Sequence, residues 1–293
     1  MSAGIRRVGI LGHTGRPAVR RVAARLATLL ARRGITARLD ARLAAEMDRD
    51  GLPLGELARW CQLLVTLGGD GTALAGARAL AGRPATLLPI NLGGLGFLTA
   101  AESRELVPAL RRVLAGEWPI ARRRVLSALV RRRGRTVKRG VAMNDCVVKG
   151  AGGYAAVHLK LGALGDDLGH LVADGLIAAT ASGSTAYSLS AGGPLVTPDV
   201  DAMVVTPVCA HSLGSRSLVL APSEELEIRV IGSFDRVLLL FDGQESVDLM
   251  PRDEVRVRLD RAVVRVVQNP ARPFVRSLHR KLGWQGSKKR SMT

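Results

Sequence analysis

The stretch Leu67-Gly68-Gly69-Asp70-Gly71-Thr72 sets one acid among three glycines at the end of an apolar run. Glycines at that density let the backbone turn tightly and bring its N–H groups, Gly71 among them, within hydrogen-bonding reach of a ligand. Asp70 then stands at the carboxyl edge of a sheet, where open α/β folds place their sites. Thr72 is expected to cap the next helix, whose free N–H groups favour phosphate. The same residues also suit a plain strand–turn–helix joint with Asp70 opening the helix.

A second glycine-rich segment, residues 91–99, reads Asn91-Leu92-Gly93-Gly94-Leu95-Gly96-Phe97-Leu98-Thr99. It contains a G-x-G but no third glycine at dinucleotide-fingerprint spacing, and G-x-x-x-x-G-K-[ST] occurs nowhere in the chain. Backbone contacts to an anion and a structural loop are both open readings of it. Asn144-Asp145 interrupts the apolar, strand-like residues 141–148, and polar groups in such runs need partners. The pair is either a turn or bulge, or an amide and a carboxylate aimed at sugar hydroxyls and a base edge.

The longest informative stretch is 174–194. It runs from Asp174 through Ser182, Ser184, Thr185, Ala186, Tyr187, Ser188 and Ser190 to Gly192-Gly193-Pro194. Small hydroxylated residues at the start of a short helix offer hydrogen bonds with little bulk, which suits a dinucleotide lying close. Asp242-Gly243-Gln244 is a hairpin-turn dipeptide followed by an amide. The histidines His13, His158, His170, His211 and His279 show no ligand spacing and read as structural or surface residues.

Two kinds of scaffold must position these residues. Up to about residue 120, strand and helix signals alternate. Apolar runs fall at 8–11, 35–39, 62–67 and 86–90, with helices at about 18–33, 72–80 and 102–114. This order argues for a parallel sheet with crossover helices. From about 121 short β-rich segments dominate, at 125–131, 143–148, 155–161, 171–173, 176–180, 202–206, 217–221, 226–231, 236–241, 255–259 and 262–267. One helix at 184–191 interrupts them. The expected fold is therefore α/β plus β: a parallel-sheet domain over 1–120 and a mostly antiparallel, sandwich-like domain over 121–267. Beyond Asn269 the chain turns polar and basic, ending in a frayed Lys288-Lys289-Arg290.

The 293 residues favour two domains, and 47% apolar content supplies a core. No uninterrupted apolar run reaches 18 residues and no signal peptide is recognisable, so a soluble, cytoplasmic protein without membrane partners is expected. Cys61, Cys146 and Cys209 stand far apart, which suits a reducing compartment, and each is expected to be a buried small hydrophobe. The 43 basic and 25 acidic residues leave a net charge of +18. Aromatics at 3% and arginines spread along the whole chain nevertheless argue against a nucleic-acid partner, and the same field would help a polyanionic small substrate.

In this order, the Gly68–Thr72 element, residues 91–99, Asn144-Asp145, residues 174–194, Asp242-Gly243-Gln244 and Lys281-Leu282-Gly283-Trp284 resemble the NAD kinase family. They span nearly the whole chain. The G-G-D-G-T element alone is shared with diacylglycerol and sphingosine kinases; the block at 183–194 is far more specific. The resemblance implies a Rossmann-like first domain, a β-rich second domain, and a tail over 268–293 that returns to the first. It implies ATP- or polyphosphate-dependent phosphorylation of the 2′-hydroxyl of NAD, a divalent metal such as Mg²⁺ accompanying ATP, and a homo-oligomer, dimer or tetramer. Asp70 corresponds to the acid beside the acceptor hydroxyl. Asn144 and Asp145 correspond to residues holding the adenosine or ribose. The resemblance further implies that Asp174, Thr185, Ala186, Tyr187, Ser188 and Ser190 line the NAD site and that Gln244 contributes from the hairpin. Asp145 stands where the family usually has Glu, and Ala181-Ser182 where it usually has Pro-Thr. A lipid kinase on the same G-G-D-G-T element and a non-catalytic nucleotide-binding module are the alternatives.

Overall fold

The computed structural model describes residues 4–93, 96–152, 156–233 and 235–283. Gly94, Leu95, Trp284 and Lys288-Lys289-Arg290 therefore lie outside the described residues. The chain divides into two compact units, the first of residues 1–73, 85–121 and 266–293, the second of 74–84 and 122–265. The expected division differs at 74–84, where Arg78 bonds Asp242 and Gln244 and the Gly82 N–H donates to the Val263 carbonyl, all within the second unit.

In the first unit the strands run in the order Gly51–Leu52, Thr36–Asp40, Arg7–Gly12, Leu63–Gly68, Thr86–Asn91 and Ala101–Glu102, all parallel. Leu63–Gly68 and Thr86–Asn91 are buried along their whole length, as apolar strands covered on both faces must be. The helix Pro17–Ala31 opens with proline, and its Val19, Ala23, Leu26 and Leu30 form one buried stripe. Leu106–Leu114 does the same with Leu106, Ala109, Leu110 and Val113. The short helices Ala41–Ala45 and Leu54–Trp60 have too few turns to show a period and are additions to the sequence expectation. Sheet order reverses between Arg7–Gly12 and Leu63–Gly68, so the crevice where ligands enter such sheets opens beside residues 12–13 and 68–70.

The second unit is built on antiparallel pairing. Asp166–Ala173, Val157–Ala163, Glu225–Ser233 and Glu254–Val267 follow one another, and Ile120–Arg132 joins with its hairpin partner Arg135–Ala142. The other sheet runs Leu218–Leu220, Met203–Val208, Gly175–Thr180, Asp145–Gly150, Val237–Phe241 and Glu245–Leu249. Leu126, Val130, Leu159, Val230 and Val257 from the first sheet meet Val148, Leu176, Met203 and Phe241 from the second in a single core. This is the sandwich that alternating apolar residues require. Residues 255–259 and 262–267 form one continuous strand, and 184–191 is only a 3₁₀ turn, Ser182–Thr185, followed by one α-turn, Tyr187–Ser190. Cys61 and Cys146 are buried, whereas Cys209 is exposed. Its strand ends at Val208, and Cys209 takes a left-handed φ of 47° in the turn, contrary to the expectation of burial.

Candidate active site

Asp70 begins the helix Asp70–Leu80 directly after the strand Leu63–Gly68. The Gly69 carbonyl accepts from the N–H groups of Thr72 and Ala73 at 3.1 and 3.2 Å, so the helix starts two residues before Thr72. Thr72 is thus inside the first turn and is not its cap. Its side chain lies where a Cβ on Gly68 would have to go.

The half-buried Asp70 carboxylate receives hydrogen bonds from the Phe97 N–H and the Thr99 hydroxyl, and Lys281 adds its positive charge. Burial outweighs these effects and raises the Asp70 pKa above the ordinary carboxylate value. Its Oδ1 is buried with no hydrogen-bond partner among the described residues. A Cβ on Gly96 would fall inside the Asp70 carboxylate, which fixes the need for glycine there. The glycine-rich segment is the platform on which Asp70 rests. Its entry is tied down by Asn91, whose Oδ1 accepts the Gly93 N–H at 2.6 Å. Gly71 is exposed on the first helical turn.

In the second unit, Asp242 is the residue around which the site is organised. Its side chain is wholly buried, and its backbone adopts a left-handed φ of 51°. One carboxylate oxygen accepts the N–H groups of Asn144 and Asp145 at 2.7 and 3.2 Å. The other accepts the Met143 N–H at 3.0 Å and the Arg78 guanidinium at 3.1 Å. The Asn144-Asp145 pair is therefore presented by a carboxylate that binds three successive backbone N–H groups. Arg78 also donates to the Gln244 side chain at 2.9 Å.

Asp145, buried, opens the strand Asp145–Gly150. Desolvation, and then the charge of Asp242, push its pKa up to about 7. The Asn144 side-chain oxygen is buried and unpartnered among the described residues. Behind it, Thr180 donates to the Met143 carbonyl at 2.8 Å and accepts the Gly183 N–H at 3.0 Å. A Cβ on Gly183 would overlap the Asn144 carbonyl. The hydroxyl-rich turn and the Asn144-Asp145 pair thus pack together through backbone, which requires a glycine between them.

A cavity of about 360 Å³ opens in this unit, walled by Asn144, Asp145, Lys149, Ala186, Tyr187 and Gly243 among others. The sequence-derived site residues divide accordingly. Asn144, Asp145, Ala186 and Tyr187 share the cavity, and Tyr187 presents an exposed ring. Thr185 bonds the Ser182 carbonyl, Ser190 is exposed at the end of the turn, and Asp174 is exposed ahead of the strand Gly175–Thr180. Ser188 is fully buried, its hydroxyl 2.8 Å from that of Thr206. From sequence alone Arg78 draws no attention, Asp242 reads as a turn residue and Gly96 as one member of the glycine-rich segment. A single arginine in the otherwise apolar segment 73–80 was the available signal for the first.

Two family models match the chain: an ATP-NAD kinase N-terminal domain over residues 54–118 and an ATP-NAD kinase C-terminal domain over 143–268. An NAD kinase of Geobacter metallireducens is 36% identical over 280 residues, covering 96% of this chain and 99% of that one. The chain belongs to the NAD kinase family. The NAD kinase of Symbiobacterium thermophilum is 40% identical over 82% of this chain and 85% of its own length. Yeast NADH kinase, solved with NADH, superposes with a TM-score of 0.89 at 28% identity, over 99% of this chain and 91% of that one. An NAD kinase from Archaeoglobus fulgidus solved with ATP shares the fold, with a TM-score of 0.76 at 23% identity over 96% of this chain and all of the other. Asp70 and Gly96 fall inside the N-terminal match of the NAD kinase family, and Asn144, Asp145, Tyr187 and Asp242 inside the C-terminal match.

Proposed function

We infer that this member of the family transfers the γ-phosphoryl group of ATP to the 2′-hydroxyl of the adenosine ribose of NAD, giving NADP and ADP. The observation that carries this reading is the Asp70 carboxylate, which stands at the switch point of a parallel sheet with one buried oxygen unpartnered. Sequence kinship over nearly the whole chain supports it and disfavours a lipid kinase or a non-catalytic module.

In phosphoryl transfer the bond to the leaving group is largely broken before the nucleophile attacks. Asp70 therefore orients the 2′-hydroxyl and takes its proton late, and a pKa raised by burial makes it the better acceptor. The backbone of the glycine-rich segments holds the donor phosphates. Among the described residues no three His, Cys, Asp or Glu side chains converge as a metal cage. In this reading the divalent cation arrives with the ATP substrate, and no step is assigned to it. Asn144, Asp145 and Tyr187 hold the adenosine end, with the Asp145 carboxylate accepting from ribose hydroxyls. No described helix is long and apolar enough to cross a membrane. A cytoplasmic location, a homo-oligomer and a place in NADP biosynthesis complete the proposal. It is tested by supplying NAD, ATP and Mg²⁺ to the purified chain and reading the product with a dehydrogenase that accepts NADP alone.

The Asp145 environment gives a pH signature. An acid whose folded pKa is raised keeps its proton over a range where the unfolded chain has lost it, so its ionisation costs stability as pH rises from about 4 to about 7. Asp145→Asn removes that cost. The variant should melt above the wild type at pH 8, and the gap should close toward pH 4. Ligand binding should move oppositely: the KM for NAD of the wild type falls as pH rises through about 7, while that of Asp145→Asn stays flat. Thermal melts and steady-state kinetics across pH 5–9 check both.

A further inference from the structure

After residue 267 the chain is fastened to the first unit at several points. The Gln268 N–H donates to the Pro119 carbonyl at 2.9 Å, and the Asn269 amide to the Ala100 carbonyl at 3.0 Å. Arg272, largely buried, reaches Glu102 at 3.3 Å and Glu105 at 2.6 Å. The helix Phe274–Leu282 then presents Phe274, Leu278 and Lys281, spaced i, i+4, i+7, on one face. Phe274 meets the Phe97 ring with centroids 6.4 Å apart, Leu278 is buried, and the Lys281 ammonium stands 4.2 Å from the Phe97 ring centroid. Phe97 is also the residue whose N–H binds Asp70, directly after the Gly96 that touches it. Lys281 lies beyond the residues that either family model matches.

We propose that Lys281 is a cation of the phosphoryl-transfer site, held over Phe97 by the C-terminal helix so that its ammonium balances the negative charge gathering between Asp70 and the transferred phosphoryl group. The inference rests on the kinase reading above. In the step it assists, the 2′-oxygen forms a bond to the γ-phosphorus as the bond from that phosphorus to ADP breaks, and the hydroxyl proton passes to Asp70. An ammonium beside both anions stabilises that charge where it develops. Among the described residues, the groups facing Asp70 are the uncharged Phe97 N–H and Thr99 hydroxyl from the glycine-rich segment and the Lys281 charge from the helix. Lys281 is the largest influence opposing the effect of burial, so its loss moves Asp70 ionisation to higher pH.

The test compares Lys281→Met, Lys281→Arg and Asp70→Asn in the full chain, with kcat measured against pH. Lys281→Met should lower kcat about a hundredfold, leave the KM for NAD within about twofold, and shift the acid limb of kcat to higher pH. Lys281→Arg should restore kcat to within about fivefold of the wild type, with the limb where the wild type has it. Since Lys281 is exposed, both variants should melt with the wild type. An inactive Asp70→Asn beside a fully active Lys281→Met, an unmoved acid limb, or equal losses in the Met and Arg variants would each overturn the proposal alone. A fully active Asp70→Asn would overturn the assigned role of Asp70 and this inference with it.

Discussion

Asp70→Asn should fold, bind NAD with near-normal affinity, and lose about a thousandfold in kcat, within the range for removal of a positioned general base. The substitution keeps the shape of the side chain and the acceptor for the Phe97 and Thr99 donors. It removes the negative charge and with it the capacity to take a proton. Because burial raises the Asp70 pKa, the ionised carboxylate costs stability at neutral pH, and the neutral amide relieves that cost. The variant should therefore melt at or above the wild-type temperature, which separates lost chemistry from lost structure. Titration calorimetry for NAD, a thermal melt and steady-state kcat on one preparation give the three readings. A variant that binds NAD and turns over within tenfold of the wild type contradicts the role.

Asp242→Ala should be the most destabilising single change at the site, by about 3–5 kcal/mol. Three successive N–H groups, from Met143, Asn144 and Asp145, lose their acceptor, and Arg78 keeps a largely buried charge with its principal partner gone. Removing one member of a buried pair leaves the other uncompensated, which costs more than the pair itself contributes. At about 2–4 °C per kcal/mol for a chain of this size, the melting temperature should fall by about 10 °C. Arg78→Met alone should cost less, because the backbone N–H groups still satisfy Asp242. The double variant Arg78→Met, Asp242→Asn should lose less than the sum of its single changes, since the two side chains share one interaction. Denaturant melts of the wild type, Arg78→Met, Asp242→Asn and the double variant test this; strictly additive losses contradict the coupling. Activity should fall in Asp242→Ala through a raised KM for NAD, since the Asn144-Asp145 pair is no longer held in place.

The first unit was legible in outline because its helices are long enough to show a 3.6-residue period and its strands are continuous apolar runs. Val19, Ala23, Leu26 and Leu30 announce their helix, and the run at 63–67 announces its strand. Arg135–Ala142 was missed because alternating Arg, Thr and Lys residues hide its period. Its hairpin turn at Arg133-Gly134, with both φ angles positive at 51° and 77°, lacks the Asn-Gly or Asp-Gly signature. Glu245–Leu249 follows a turn that was recognised, but its polar side chains gave no strand signal. The residues of the tail read as a polar, basic stretch and not as a helix, because two of its anchors, Arg272 and Phe274, depend on partners about 170 residues or more away in sequence. The site shows the same division. Asp70, Asn144 and Asp145 stand out locally as polar residues among glycines or apolar neighbours. What holds them is not local: Arg78 and Asp242 are 164 residues apart in the chain, and Gly96 meets Asp70 only through the fold.

The most direct measurement follows the phosphate itself. The purified chain is given ATP labelled on its γ-phosphate and Mg²⁺, with NAD in one reaction and, in another, a dinucleotide lacking only the adenosine 2′-hydroxyl. Label should pass to NAD in step with ADP formation and never to the 2′-deoxy dinucleotide, which should instead inhibit the reaction by competing with NAD. Label on the 2′-deoxy compound, or ADP released with no labelled dinucleotide in either reaction, would contradict the assignment of the 2′-hydroxyl as the acceptor that Asp70 serves.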